Sequence, residues 1–271
     1  MNALPQIDGE TLLYPIAGHP IGQVKSPTHL SALMARDAIN ALVIPAHVLP
    51  GDLGPWLESL ERWQNVPGVV LTVPHKAAGL AFCSRVSKRA RAASAVNILV
   101  RDPRGGWTGD ATDGAGHLDG IAAHGFDVAG RRALLVGTGG AGAAIAYEIL
   151  ARGAATLALH DIDAARRDAL ITRLAPEFPG RLQVGSADPT GFDLVANATP
   201  LGMREGDPLP VQTDRLTPAQ FVSDVVTKPA VPALIAAARA KGCATMAGTE
   251  MFEAQAQLLA DILTGRRGIE A

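Results

Sequence analysis

Lys76 closes the run Leu71-Thr72-Val73-Pro74-His75-Lys76, in which the apolar segment VPGVVLTVP ends in a proline and then a lysine. The carboxyl end of a strand in an open α/β sheet is where ligands bind. A lysine held there, behind a proline that fixes the turn, is a candidate for moving a proton to or from a substrate. The same spacing also describes a solvated lysine in the first turn of a helix. Asp113, in Gly109-Asp110-Ala111-Thr112-Asp113-Gly114, is the second candidate. A carboxylate in this run could orient the ammonium and accept a hydrogen bond from a substrate hydroxyl. Alone, the segment reads equally as an Asx-type turn before a helix. It lacks the further ligands of a calcium loop, so no metal is expected.

A third group has a different chemistry. Gly137-Thr138-Gly139-Gly140-Ala141-Gly142 matches G-x-G-x-x-G, with the apolar run ALLV entering it and the alanine-rich segment 139–153 leaving it. In that context Gly137 permits the tight turn, Gly139 lets a pyrophosphate approach, and Gly142 allows the helix to pack on the strand. Gly140 and Ala141 begin the helix, whose free N–H groups favour phosphate. Asp161 stands nineteen residues beyond Gly142, at the end of the next apolar run, ATLALHD. A carboxylate at that place accepts hydrogen bonds from ribose hydroxyls and repels a 2′-phosphate. Asp161 or Asp163 could also cap the helix that follows. Arg166 and Arg167 could reach a 2′-phosphate, but arginines that far past a strand end are more often solvated helix-face charges. NAD is expected in preference to NADP.

These residues need elements to hold them. LLYPIAG (12–18), ALVIPAHV (41–48) and VPGVVLTVP (66–74) read as strands. DLGPWLESLERWQ (52–64) reads as an amphipathic helix, and Ser26-Pro27 opens another, with serine as N-cap and proline at the first helical position. Between the first strand and that helix lies AGHPIGQVKSP (17–27), a turn-rich loop well placed to touch a ligand. HKAAGLAFC and SRVSKRARAAS read as helical, and AVNILVRD with WTGD as a hairpin. This alternation predicts an α/β sheet with parallel pairing. From residue 113 onward a second unit follows: a connecting helix, strands at RRALLVG, ATLALHD, LVANATP, AQFVSDVV and CATMAG with helices between them, and a long helix over 249–265.

At 271 residues, with 48% hydrophobic and 18% charged residues, the chain has enough apolar material for two cores. A net charge of −2 offers no basic surface for nucleic acid. Cys83 and Cys243 lack a metal-type spacing and read as reduced, buried thiols. No signal peptide and no apolar run of membrane-spanning length is visible, so a cytoplasmic monomer or homodimer is expected.

Together the motifs resemble the shikimate/quinate dehydrogenase family, in order and over nearly the whole chain. GHPIGQVKSPTHL resembles its substrate loop, GVVLTVPHK the strand that ends in its catalytic lysine, and SAVNIL the strand carrying a substrate-binding asparagine. GDATDG resembles the stretch with its catalytic aspartate and VGTGGAG its cofactor turn. NATPLGM resembles the segment beside the nicotinamide, and GTEMFEAQA the last helix. The resemblance implies an α/β chain of two domains. Residues 1–112 would form an α/β substrate-binding and catalytic domain, completed by a C-terminal helix at 248–271. Residues 113–247 would form a Rossmann-like, doubly wound NAD(P)-binding domain. It implies reversible hydride transfer between a nicotinamide and a secondary alcohol on a cyclic hydroxy acid. Lys76 and Asp113 would be catalytic, with Ser26, Thr72, Asn97 and Gln255 on the substrate. Asn197, Thr199, Gly202, Met203 and Gly248 would join the glycine turn and Asp161 on the cofactor.

The departures from the family pattern are specific. Val24 replaces a serine of the substrate loop, Val70 and Ala111 replace asparagines, and Thr227 stands where a tyrosine is usual. His160-Asp161-Ile162 replaces the asparagine-arginine-threonine stretch, which favours NAD. With one serine lost, the grip on a substrate carboxylate would weaken or pass to Gln23 or Lys25. The expected ligand is therefore a hydroxy or keto acid related to shikimate or quinate but less polar. The alternatives are a true shikimate or quinate dehydrogenase with rearranged contacts, and a catalytically weak dinucleotide-binding regulator.

Overall fold

The chain returns on itself in five residues after Arg101, and that return decides the character of the first sheet. Asp102 accepts hydrogen bonds from the Arg104 N–H and the Thr108 hydroxyl, both at 2.9 Å, while Gly105 and Gly106 take left-handed φ values of 102° and 76°. So short a connection can only pair its strands antiparallel. In the computed structural model, which describes residues 7–22, 24 and 26–271, the chain divides into two units. The first is Met1–Thr112 with Ala256–Ala271, and the second is Asp113–Gln255.

The first unit holds strands β1 (Leu12–Gly18), β2 (Ala41–His47), β3 (Gly68–Leu71), β4 (Cys83–Val86), β5 (Ile98–Arg101) and β6 (Trp107–Asp110). They lie in the order β2-β1-β3-β5-β6-β4. The β1 pairs with β2 and β3 are parallel, but β5 runs antiparallel to both β3 and β6. The sheet is therefore mixed: the hairpin expected of AVNILVRD with WTGD is the β5–β6 pair, and the antiparallel β3–β5 pair is what strand–helix alternation did not predict. A second correction concerns SRVSKRARAAS. Its first residues belong to the edge strand β4, and the helix α4 (Lys88–Ala93) begins only after Ser87, whose hydroxyl caps it by accepting from the Ala90 N–H at 3.1 Å. The other helices are α1 (Ser26–Arg36), α2 (Leu53–Leu60) and the short α3 (His75–Ala78).

The second unit runs α5 (Asp113–Ala123), β7 (Arg132–Val136), α6 (Gly140–Ala151), β8 (Thr156–His160), α7 (Ala164–Leu174), β9 (Leu182–Val184), β10 (Leu194–Asn197), β11 (Phe221–Asp224), α8 (Ala233–Ala240), β12 (Ala244–Met246) and α9 (Gly248–Leu263). All its strand pairs are parallel, in the order β12-β11-β10-β7-β8-β9. This is a doubly wound, Rossmann-like sheet. The chain moves outward from β7 through β8 and β9, then returns to β10 on the other side of β7, so the carboxyl ends of β7 and β10 flank the switch point where such sheets bind ligands. Leu134, Leu157 and Val195 are fully buried, as both faces of a parallel sheet require.

Helix α9 contributes Gly248–Gln255 to the second unit and its remainder to the first. The later part is tied to the first unit by the Tyr14 hydroxyl, which donates to the Leu263 carbonyl at 2.9 Å, and by Arg36, which donates to Gln257 at 3.0 Å.

Candidate active site

In the first unit, the carboxyl ends of β1 and β3 lie against one another. A Cβ on Gly18 would come within 2.6 Å of Thr72 Cγ2, so only glycine lets Thr72 settle there. The Thr72 N–H donates to the Ala17 carbonyl at 2.9 Å, and the His19 N–H to the Val73 carbonyl at 3.0 Å. His75 is buried, its Nε2 2.8 Å from the Val48 carbonyl oxygen. That contact pins the turn and leaves Lys76, in the first turn of α3, half-buried rather than extended into solvent. Val70 is buried inside β3. Ser26 opens α1 and is half-buried, as is Val24 before it; Gln23 and Lys25 lie outside the described residues.

Asn97 is buried and clamps the end of this unit. Its amide donates to the Thr112 hydroxyl, and its carbonyl oxygen accepts from the Thr112 N–H, each at 2.9 Å. Of the two aspartates in GDATDG, Asp110 is taken up by the fold. Its carboxylate receives Arg89 Nε at 2.7 Å, the Ser87 hydroxyl at 2.5 Å and the Ala111 N–H at 2.8 Å. Ala111 is itself buried.

Asp113 is the first residue of α5 and only 9% exposed. Its Oδ1 accepts from Gln255 Nε2 at 2.7 Å, a contact internal to the second unit. A Cβ on Gly116 would lie 2.5 Å from the Gln255 Cβ, so the glycine is what lets α9 come close enough for that bond. The position at a helix N-terminus favours the ionised carboxylate.

The glycine turn is closed where it packs on protein and open elsewhere. Gly137 has φ 95°, and a Cβ on it would lie 2.7 Å from Thr199 Cγ2. One on Gly142 would lie 2.0 Å from the Gly137 carbonyl oxygen, whereas nothing lies within 4 Å of a Cβ on Gly139 or Gly140. Gly139 caps α6, and Ala141 stands in its first turn. Asp161 accepts from both the N–H and the hydroxyl of Thr138 at 2.8 Å, and from the Asp163 N–H at 2.9 Å. Burial pushes its carboxyl upward, but the hydrogen bonds from Asp163 and Thr138 outweigh this and hold it below the usual range. Helix α7 is capped by Asp163, not Asp161. Arg166 pairs with Asp163 at 3.1 Å and Arg167 with Asp168 at 2.8 Å.

Asn197, at the end of β10, organises NATPLGM. Its carbonyl oxygen accepts from the N–H and hydroxyl of Thr199, at 3.0 and 2.7 Å, and its amide donates to Asp224 Oδ1 at 3.1 Å. Gly202 has φ 96° and donates its N–H to Asp207 at 3.0 Å, while Met203 is exposed. Gly248 opens α9 against the Val225 and Val226 carbonyls, each 2.5 Å from where its Cβ would stand. Thr227 is exposed on the loop after β11.

The structure thus joins Asp113 to Gln255, Asp161 to Thr138, and Asn197 and Thr199 to the Gly137 turn. Sequence reasoning passed over Thr138 and Asp224. A hydroxylated residue inside a glycine turn was a usable signal for Thr138. Asp224 is buried, its Oδ2 has no partner among the described residues, and burial pushes its carboxyl up to about 7. Nothing in the sequence marks that.

A family model described as the shikimate dehydrogenase substrate binding domain matches residues 16–99. A shikimate dehydrogenase (NADP(+)) from Rubrobacter xylanophilus is 36% identical over 256 residues, covering 92% of this chain and 89% of its own. Among solved structures, the shikimate 5-dehydrogenase of Listeria monocytogenes, in complex with shikimate and NAD, superposes with a TM-score of 0.89. It is 25% identical and covers 98% of this chain and 96% of its own. The ligand-free 5-ketofructose reductase of a Gluconobacter strain superposes with a TM-score of 0.87, at 27% identity over 96% and 94% of the two chains. With the doubly wound sheet, the matched substrate-binding domain and a relative above 30% identity over nearly its full length, the chain belongs to the shikimate dehydrogenase family, oxidoreductases acting on CH–OH groups with NAD(P).

Proposed function

We propose that this chain is an NAD-preferring dehydrogenase for the secondary alcohol of a cyclic hydroxy acid related to shikimate or quinate but less polar. The observation that carries the reading is the buried Asp113 carboxylate, held at the N-terminus of α5 by Gln255 at 2.7 Å. A carboxylate so placed is oriented and able to accept a hydrogen bond from a substrate hydroxyl.

The residues present fit a dinucleotide. Open space above Gly139 and Gly140, at the N-terminus of α6, suits a pyrophosphate. The ionised Asp161 suits a ribose with free hydroxyls and disfavours a 2′-phosphate, and Arg166 and Arg167 are each engaged by a neighbouring aspartate. Asn197 and Thr199 shape the segment beside the ring, with Gly202, Met203 and Gly248 completing that side. When bound, a nicotinamide supplies or takes up the hydride. Lys76 takes the alcohol proton in oxidation and returns it in reduction. Asp113 holds the hydroxyl and Gln255 holds Asp113. Ser26, Thr72 and Asn97 present hydroxyl and amide groups to the substrate's polar atoms.

Selectivity follows from what is apolar. Val24, Val70 and Ala111 supply no hydrogen bond, and Val70 and Ala111 are buried at 4% and 3% exposure. A buried polar group left unpaired costs about 1–3 kcal/mol. Two such losses weaken shikimate by about a hundredfold or more. Lys76→Ala and Asp113→Asn test the assignment in an NADH-linked assay. Each is expected to lose at least a hundredfold in kcat while keeping its fluorescence titration with NADH. Turnover surviving both substitutions would remove the catalytic roles. A ligand response that outlives turnover in the unmodified chain would favour a regulator.

A further inference from the structure

Helix α5, DGAGHLDGIAA, carries the proposed catalytic Asp113 and is rich in glycine and alanine. Gly114, Gly116 and Gly120 let neighbours approach so closely that a Cβ would meet the Ala144 carbonyl oxygen at 2.1 Å, the Gln255 Cβ at 2.5 Å and the Met246 sulfur at 2.5 Å. Glycine and alanine faces allow close packing, but they offer few directional contacts against sliding or rotation, and glycine lowers helix stability. Asp119 pairs with Arg152 at the end of α6 at 2.7 Å, and a second directional contact, on the face of Asp113, comes from His117. It lies one helical turn beyond Asp113, on the same face, and is fully buried.

Both ring nitrogens of His117 are occupied. Nε2 lies 2.9 Å from the Ser223 hydroxyl on β11, and Nδ1 lies 3.3 Å from the Met251 sulfur on α9. A thioether can only accept, so Nδ1 carries the proton and Nε2 accepts from the Ser223 O–H. Met251 stands one turn before Gln255 on α9. The pairs Asp113–Gln255 and His117–Met251 are therefore successive rungs between the same two helices. The Ser223 bond adds a third direction, tying α5 to the strand whose next residue, Asp224, holds Asn197. An apolar side chain would fill the same space without the cost of burying an imidazole. Burial keeps the ring neutral, pushing it down to about 3.

We infer that His117 is a positioning residue for Asp113: through Ser223 and Met251 it fixes the register of α5 and so the place of the carboxylate. The inference rests on the catalytic reading of Asp113, and Asp113→Asn tests that reading separately. The experiment compares His117→Leu, His117→Gln, Ser223→Ala and the double variant His117→Leu/Ser223→Ala. It reads kcat and KM with shikimate and quinate as probes, Tm, and a crystal structure of His117→Leu. His117→Leu and Ser223→Ala should each lower kcat about tenfold or more, as small misplacements do, with KM for NAD unchanged. The double variant should be no worse than His117→Leu, and His117→Gln, whose amide can meet Ser223, should recover much of the loss. In the crystal structure the Asp113–Gln255 bond should break or move, a result that needs no turnover to read. An unmoved bond, or an unchanged kcat with only a lower Tm, overturns the inference.

Discussion

Asp161 and Thr138 form one unit: a single carboxylate oxygen of Asp161 accepts both the N–H and the hydroxyl of Thr138 at 2.8 Å. The residue proposed to set cofactor choice thus also holds the glycine turn proposed to receive the pyrophosphate. Asp161→Ala should therefore lower kcat/KM for NAD by at least tenfold and narrow the gap to NADP. Asp161→Asn, which keeps hydrogen-bonding atoms but removes the charge, should narrow the gap with a smaller loss for NAD. The two cofactor efficiencies, measured on each variant, check this.

The apolar positions make a second prediction. Restoring hydrogen-bonding groups with Val24→Ser and Val70→Asn should raise kcat/KM for shikimate, each by about tenfold, since one well-made hydrogen bond is worth about 1.4 kcal/mol in that range. Val70 is buried, so Val70→Asn should also lower Tm unless shikimate is present. Unchanged or weaker use of shikimate by Val24→Ser would show that the loop reads another group.

Asp110 and Asp113 sit three residues apart but should respond differently to substitution. Asp110 is buried against Arg89 and Ser87, so Arg89→Ala strands a buried carboxylate. Breaking such a pair costs about 3–5 kcal/mol, or a fall in Tm of roughly 6–20 °C for a chain of this size. Asp113→Asn should leave Tm within a few degrees and abolish turnover. Thermal scans and rates on the two variants separate the roles.

How far these assignments were legible in the sequence depends on the range of the interaction. The glycine turn, the lysine after β3 and the strand–helix alternation are local patterns, and each is visible in a dozen residues. The antiparallel return through Asp102–Gly106 is local too, and AVNILVRD with WTGD shows it as a hairpin. The edge strand β4 was masked by the helical look of SRVSKRARAAS, because the Ser87 cap sets the helix start at Lys88, four residues later than propensity suggests. Contacts such as Gln255 with Asp113 and Asp224 with Asn197 join residues 142 and 27 positions apart. The family resemblance named Gln255 and Asp113 separately without pairing them, and the contact of Asp224 with Asn197 was not reached. His117 looks like any helix histidine until β11 and α9 are packed around it.

Asp224 gives a pH signature. Burial raises its carboxyl to about 7 in the native state, against about 4 when unfolded. Between those values the native state keeps a proton that the unfolded state has lost, so this group's contribution to stability falls as pH rises from 4 to 7. His117 acts in the opposite sense, losing stability as pH falls below about 6.5, because the unfolded ring takes a proton that the native ring refuses. The wild-type curve mixes both. The Tm of Asp224→Asn relative to wild type should therefore climb between pH 5 and pH 8; parallel curves would mean that Asp224 is ionised throughout.

The central claim is that this family member acts with NAD on an acid less polar than shikimate. Initial rates of the unmodified chain with shikimate, quinate and cyclic hydroxy acids lacking one or two ring hydroxyls, each with NAD and with NADP, test it directly. The account predicts that a less hydroxylated acid with NAD exceeds shikimate by about a hundredfold in kcat/KM, the equivalent of two lost hydrogen bonds. Shikimate with NADP as the best pair would contradict it.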